Sequence, residues 1–314
     1  MRLQSQADAA AEGGGQPVAT QTTQGADQTI VLLAPMERSV RRRRRLWRRR
    51  PTLLIGLFIL AVVIVAAVAA PLLTPYDPTA IDPLSSLAPP LTPGHPLGAD
   101  LYGRDILSRI LYGGRIDLAI GFGATAVTVV VGSVIGLISG YFGGWVDAAI
   151  MRVVDVFFAF PFFVLVIAIV GVLGPSTFNM FLAIWLTGWI TYARIMRAET
   201  LVAKKQEYVL AGRALGYHPL RLMLRHILPN IVSYAVIFSM VDAVGNVLLG
   251  AALGFLGLGA QPPTPEWGTM IADGQNFMLS AWWLPTMPGL AIVLVGVGFS
   301  LFGDGVADVL RPGA

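Results

Sequence analysis

Residues 208–216 read Tyr-Val-Leu-Ala-Gly-Arg-Ala-Leu-Gly, and residues 225–230 read Arg-His-Ile-Leu-Pro-Asn. This Arg-bearing stretch lies between two long apolar runs and ends in proline just before the second. A chain that only crossed a bilayer has no need of a structured segment there. Glu207 to Leu215 is predicted to form a short helix stopped by Gly216, because glycine takes the left-handed conformation that closes helix C-termini. Pro219 suits the first turn of a second helix reaching about Leu228, and Pro229 marks the return to the membrane. Ala211, Gly212 and Ala214 keep one side of the first helix small, so that a partner surface can approach, with Arg213, Arg221 and Arg225 as charge at the rim. The plainer alternative is an ordinary interfacial loop.

Working outward, the 314-residue chain is 55% hydrophobic and 13% charged, with a mean hydropathy of +0.69. Soluble domains carry about 25% charged residues, so the composition assigns an integral membrane protein. Six apolar stretches follow one another: Thr52 to about Leu73, Leu118 to Ser139, Val153 to Val172, Phe178 to Ile195, Ile231 to Leu256 and Met287 to Val309. Each is near the roughly 20 helical residues that cross the hydrocarbon. No β-barrel alternation occurs, so the expected fold is all-α with six transmembrane helices, occupying about residues 51–312.

Charge sets the expected topology. Residues 1–37 read as a disordered tail. Arg38, Arg41 to Arg45 and Arg48 to Arg50 then precede the first apolar run. Beside a span such a block holds its side in the cytoplasm rather than binding nucleic acid. It also lies too far into the chain for a secretory signal. The 196–230 loop is basic, the 74–117 loop mixes both signs, and the 259–286 loop holds Glu266 and Asp273 without Lys or Arg. Residues 1–50 are therefore expected inside as an Arg-rich tail, and both termini are expected in the cytoplasm.

Several chemistries are excluded. There are no cysteines, hence no disulfide, thiol nucleophile or thiolate metal site. The three histidines are His95, His218 and His226, and their spacing matches no metal-ligand motif. The only lysines, Lys204 and Lys205, follow no GxxxxGK[ST] loop, so no P-loop ATPase is encoded. The chain is expected to be no enzyme and to hold no cofactor or metal.

Within the spans, Gly132, Gly136, Gly140 and Gly144 recur every fourth residue, and Gly250 and Gly254 repeat that spacing. Small residues let helices pack closely in lipid; a mobile gate interface is the sharper reading. Ionisable residues there are functional candidates. Asp155 has Arg152 one turn away as a partner. Asp242 and Asn246, one turn apart, line a pathway or bond between helices. Pro161 predicts a kink in the third span.

Two further segments carry a pattern. His95 to Arg115 begins His-Pro-Leu-Gly-Ala-Asp-Leu-Tyr-Gly-Arg-Asp, and Asp100 to Leu111 is read as an amphipathic helix with Ile106, Leu107, Ile110 and Leu111 on one face. It either seals the bundle or lies on the outer surface. Gly254-Phe-Leu-Gly-Leu-Gly259 is followed by Pro262-Pro-Thr-Pro-Glu-Trp-Gly268. Together with the 208–230 segment, these signatures resemble, in family order over about residues 40–312, the "C-type" permease subunit of dipeptide, oligopeptide and nickel ABC importers. The 196–230 loop resembles that family's cytoplasmic "EAA" coupling loop. Aligned on Gly216, Leu210 stands where the consensus has Glu and Gly212 where it has the second Ala; Glu207 lies one turn earlier.

The resemblance implies a type I ABC importer permease fold in the inner membrane. It implies a homologous B-type permease, two cytoplasmic P-loop ATPases that hold ATP and magnesium, and an extracytoplasmic substrate-binding protein. Coupling would fall to Glu207, Leu210, Ala211, Gly212, Arg213, Gly216, Arg225 and Pro229. The outer signature is His95, Gly98, Asp100, Gly103, Arg104, Asp105, Glu266 and Trp267. Di- or oligopeptides are the implied cargo, with nickel or another small solute as the alternative. An ion-gradient-driven secondary transporter and an assembly factor are the rival classes.

Overall fold

The computed structural model describes residues 51–310. The expected cytoplasmic tail, with its arginine run, lies outside the described residues. Helix α1 (Pro51–Val68) is followed by a single turn, α2 (Ala70–Leu73), and by a loop reaching residue 105. Helix α3 (Ile106–Ala119) runs through a π-helical turn, Ile120–Ala124, directly into α4 (Thr125–Phe142). The 37-residue result is apolar enough to cross a membrane. The expected surface helix from Asp100 is thus corrected. Asp105 caps the helix by accepting from Ser108 N at 2.8 Å, and residues 100–105 precede it. Its fully buried residues include Ser108, Arg109, Gly113 and Asp117, whereas Leu107, Ile110 and Leu111 are only partly buried. The polar side faces in because partners wait there.

The third apolar run is two helices. After Gly143, α5 (Gly144–Phe158) stops at Pro161, and α6 (Phe162–Leu173) leaves at 84°. Proline has no N–H to continue the ladder, so the expected kink is a full break. Helix α7 (Thr177–Ala203) follows, capped by Ser176 Oγ, which accepts from Asn179 N at 3.1 Å. Among the described residues four helical stretches are long and apolar enough to cross a membrane, and counting the bent pair makes five. Although α7 is long enough, it is not among them; Arg194, Arg197 and Glu199 lie in its second half.

After α8 (Glu207–Ala214), α9 (Pro219–Arg221) passes through a second π-helical turn, Leu222–Ile227, into α10 (Leu228–Phe255). This too is one continuous 37-residue helix. Pro229 therefore does not interrupt the chain: it follows directly on the π-helical turn, where the regular ladder of backbone bonds is already broken. A loop, α11 (Trp267–Gly274) and α12 (Trp283–Leu310) complete the described chain.

Glycines decide which helices touch. A Cβ on Gly132 would lie 2.3 Å from Trp189 O, one on Gly136 2.4 Å from Ala193 O, and one on Gly140 2.8 Å from Arg197 O. Positions rise together on both helices, so α4 and α7 run parallel with their backbones in contact. Gly144 departs from the stripe: it opens α5 at φ +53° with open space beside it. Gly250 faces Ile120, and Gly121 faces Val247, so α10 runs antiparallel to the α3–α4 helix. Gly303 meets Met240, and Gly305 meets Leu53, which orders α10, α12 and α1 alternately. Lipid gives apolar helices no hydrophobic reason to associate, and small residues supply close van der Waals contact instead. By these contacts, α1 begins and α12 ends at the same end of the bundle as α8.

Candidate functional site

The first candidate is the α8 unit. Glu207 stands in its first turn and Arg213 in its last, both favourable with the helix dipole. The helix closes with paired bonds: Tyr217 N donates to Gly212 O at 3.0 Å and Gly216 N to Arg213 O at 2.9 Å. Gly216 takes φ +77° to allow this, the geometry of a Schellman stop. His218 begins the next helix as its N-cap, its ring accepting from Leu220 N at 3.3 Å.

One side of α8 is seated on the chain itself. Val209 and Gly212 are buried, and a Cβ on Gly212 would lie 2.8 Å from Leu222 Cδ2. Gly212 therefore serves the internal seat rather than a partner's approach, a correction to its expected role. The other side is bare: Glu207, Leu210, Ala211, Arg213 and Gly216 are exposed, with Tyr208 and Leu215 beside them. Arg213 lies over the Tyr141 ring at 5.2 Å, and Arg221 over Tyr217 at 4.2 Å. Tyr217 in turn stacks on His226. The α8 unit is thus fastened to the end of α4 and to the start of the α9–α10 helix. Arg225 and Pro229 are exposed on that second helix.

The second candidate is polar and lies inside the bundle. Tyr192 OH donates to Asp242 Oδ2 at 2.9 Å. Asn246 Nδ2 donates to the same oxygen at 3.2 Å and to Thr125 Oγ1 at 2.8 Å. Asn246 is buried while Asp242 is only partly so. Asp155 is not paired with Arg152; Arg194 NH2 donates to it at 2.7 Å and also lies over the Phe158 ring. The α5–α7 junction is further clamped by Arg197, whose Nε and NH2 donate to the two Asp147 oxygens at 2.5 and 2.6 Å.

The outer signature gathers at the other end of the α3–α4 helix. His95 Nδ1 lies 3.0 Å from Asp105 Oδ1, with Ser108 Oγ donating to Asp105 Oδ2 at 2.8 Å. Arg104 Nε donates to Asp100 Oδ2 at 2.6 Å, and Arg109 and Asp273 join at 3.6 Å. Gly98 and Gly103 both have positive φ; a Cβ on Gly103 would lie 1.7 Å from Asp82 O. Glu266 caps α11, accepting from Gly268 N at 2.7 Å and Thr269 N at 2.9 Å. Burial pushes its carboxyl above the ordinary range, against the pull of those two amides. Trp267 N donates to Asp117 Oδ2 at 3.1 Å, and its ring N–H to Ile110 O at 3.0 Å. Glu266→Ala is expected to destabilise the protein by about 2 kcal/mol and Glu266→Gln by less than half of that, since the amide keeps one acceptor. Thermal unfolding in detergent measures both.

Arg109, Asp117, Tyr192, Thr125 and Asp273 belong to these clusters without any local sequence signal; each meets partners far along the chain. Among the described residues no group of three metal-ligating side chains is assembled.

Comparisons with known proteins agree in direction. Residues 132–314 match the family model "Binding-protein-dependent transport system inner membrane component", and residues 40–90 match "N-terminal TM domain of oligopeptide transport permease C". The chain is 40% identical over 259 residues to the dipeptide transport system permease protein DppC of Alkalihalophilus pseudofirmus, covering 82% of this chain and 85% of the relative. It is 42% identical over 265 residues to DppC of Haemophilus influenzae, covering 82% and 90%. It is 40% identical over 257 residues to the glutathione transport system permease protein GsiD of Pectobacterium atrosepticum, covering 82% and 85%. Among solved structures, an inward-facing form of the MetNI methionine ABC transporter is similar in fold. Its TM-score is 0.52 at 18% identity, covering 64% of this chain and 96% of that one.

Proposed function

The chain belongs to the family of binding-protein-dependent transport system inner membrane components, and from that premise we propose that it is the C-type permease subunit of an ATP-driven importer of di- or oligopeptides. The observation that carries this is about 40% identity along 82% of the chain to permeases named for dipeptide and glutathione transport. Its partners are a homologous permease, two cytoplasmic P-loop ATPases binding ATP and magnesium, and an extracytoplasmic binding protein. The chain crosses the inner membrane six times: the bent α5–α6 pair serves as one span and α7 as another. The parallel α4 and α7 support this, because the segment between them must return the chain to the side where α4 began. Both termini are then cytoplasmic, along with α8.

The mechanism is alternating access. Closure of the ATPase pair draws the α8 unit of this permease toward that of its partner. Helix α8 cannot move alone. Gly212 seats it on Leu222, and Val209 is buried in one cluster with Met223 and Ile227; these three partners lie in the turn that continues into α10, and Arg213 fastens the helix to Tyr141 of α4. Its displacement is passed to both helices as a rigid-body motion, and the pathway between the permeases changes the side to which it opens. Residues 95–105 build the end nearest the binding protein, with Pro96, Leu101 and Tyr102 exposed there and Glu266 and Trp267 buried in its support. No residue of this chain performs covalent chemistry.

Purification from native membranes in mild detergent, with mass spectrometry of the co-purifying chains, tests the assembly. A second permease and P-loop ATPases are expected. Recovery of this chain alone, together with uptake that collapses on adding an ionophore while ATP is supplied, overturns the reading in favour of a gradient-driven carrier.

A further inference from the structure

Asp242 is tied on one side and open on the other. It lies in the continuous Pro219–Phe255 helix, about 20 Å along the axis from Phe255 at 1.5 Å per residue and so well inside a hydrocarbon layer of about 30 Å. Both donors that reach it, Tyr192 OH and Asn246 Nδ2, go to Oδ2. Asn246 is itself held by Thr125, so the carboxylate has a fixed orientation. Oδ1 takes no hydrogen bond and is not among the enclosed unpaired atoms, so it opens at the helix surface. No ion pair with Asp242 forms among the described residues.

The surface it opens onto is one this chain leaves uncovered. Val241 is 68% and Leu248 53% exposed, and Gly245 has open space beside it. Lipid does not suit that face, because an unpaired carboxylate facing acyl chains is costly. An apolar partner surface would carry the same penalty. What suits it is water and a cation that comes and goes.

We propose that Asp242 is a transit site for the protonated amino terminus of a peptide, its Oδ1 facing the translocation pathway. This rests on the importer reading and sharpens it by naming the recognised group. A peptide importer meets many side chains, but most peptides share one cation, the terminal ammonium. A single carboxylate with half of its acceptor capacity already occupied holds that ammonium weakly, as a conducting site must if the ligand is to leave. The apolar neighbours ask nothing of the side chains. Tyr192 and Asn246 are positioning residues, because they act through the carboxylate.

The chain has no cysteine, so Gly245→Cys, on the open face beside an intact Asp242, introduces its only thiol. The importer is reconstituted in proteoliposomes with its co-purifying partners, whose cysteines are replaced or blocked. A cationic methanethiosulfonate reagent is expected to modify Gly245→Cys, and a saturating free-amine dipeptide to slow that reaction about tenfold, the scale of one modest interaction; adding Asp242→Asn is expected to remove the protection. Asn246→Cys, on the enclosed side, is expected not to react. Asp242→Asn is expected to reduce dipeptide uptake about tenfold while ATPase stimulation by the binding protein persists, and Asp242→Glu to restore uptake. An unreactive Gly245→Cys in an importing complex overturns the proposal, because a partner then covers that face. Reaction without peptide protection, protection that survives Asp242→Asn, or full uptake by Asp242→Asn overturns it as well. Failure of the importer reading is recognised separately, by wild-type uptake that follows the ion gradient; protection of the thiol that depends on Asp242 then still decides the site.

Discussion

Gly216→Val is expected to abolish ATP-linked uptake while leaving the amount of assembled protein in the membrane unchanged. The reason is local. Gly216 holds φ +77°, and a Cβ there would meet nothing within 4 Å, so the penalty is conformational rather than steric. A β-branched residue in the left-handed region costs roughly 2 kcal/mol or more. The turn then opens, and the bonds from Tyr217 N to Gly212 O and from Gly216 N to Arg213 O are lost with it. Helix α8 would no longer keep its angle to α9, and a push from the ATPase would be absorbed by the turn. At about 1.4 kcal/mol per tenfold, uptake and binding-protein-stimulated ATP hydrolysis should fall more than tenfold. Gly216→Asn separates turn geometry from mere side-chain volume, because Asn tolerates the left-handed region; it should retain most activity. Unchanged stimulated ATPase in Gly216→Val would remove α8 from the coupling role.

The sequence makes some of this legible and hides the rest, for physical reasons. Short-range signals carry well: glycine at a helix stop, proline at a break, and a cap before an apolar run all act within a few residues. The helix Glu207–Ala214, its Gly216 turn and the break at Pro161 are of that kind. Continuity is harder. Arg104, Arg109 and Asp117 look like loop charges when each is weighed alone, yet Arg109 lies 3.6 Å from Asp100, and Asp117 accepts from Trp267 N, 150 residues away. Once paired they can be buried, Arg104 just before a long helix and Arg109 and Asp117 within its first part. Proximity along a helix likewise suggests Arg152 for Asp155, whereas the fold brings Arg194 to it. The one-turn spacing of Asp242 and Asn246 is legible within α10, but their partners Thr125 on α4 and Tyr192 on α7 are not, because three helices must come together to make the cluster. Gly144 shares the four-residue period of Gly132, Gly136 and Gly140 but falls just after Phe142, where the helix carrying that stripe has ended.

The same stripe gives the largest expected loss of folded protein. A Cβ on Gly136 would lie 2.4 Å from Ala193 O, 2.9 Å from Arg197 N and 2.9 Å from Met196 Cβ. Two of these three atoms are backbone, so no rotamer change on α7 can make room. Gly136→Leu must push α4 and α7 apart, and with them the contacts of Gly132 and Gly140. Separation would also strain the Arg197–Asp147 clamp and the bond from Lys204 Nζ to Gly140 O. Overpacking of a core costs about 1–3 kcal/mol when side chains can adjust. Here the opposing atoms cannot, and more than about 4 kcal/mol is expected, a substantial share of an ordinary folding free energy. The measurement is the yield and thermal midpoint of detergent-purified protein: Gly136→Leu should leave little folded material. Gly171→Ala, at a helical glycine with nothing within 4 Å, should instead hold or slightly raise the midpoint, because alanine favours the helix by about 1 kcal/mol. Equal behaviour of the two variants would mean that α4 and α7 are not held by backbone contact, and the parallel pairing on which the six-span topology rests would fall with it.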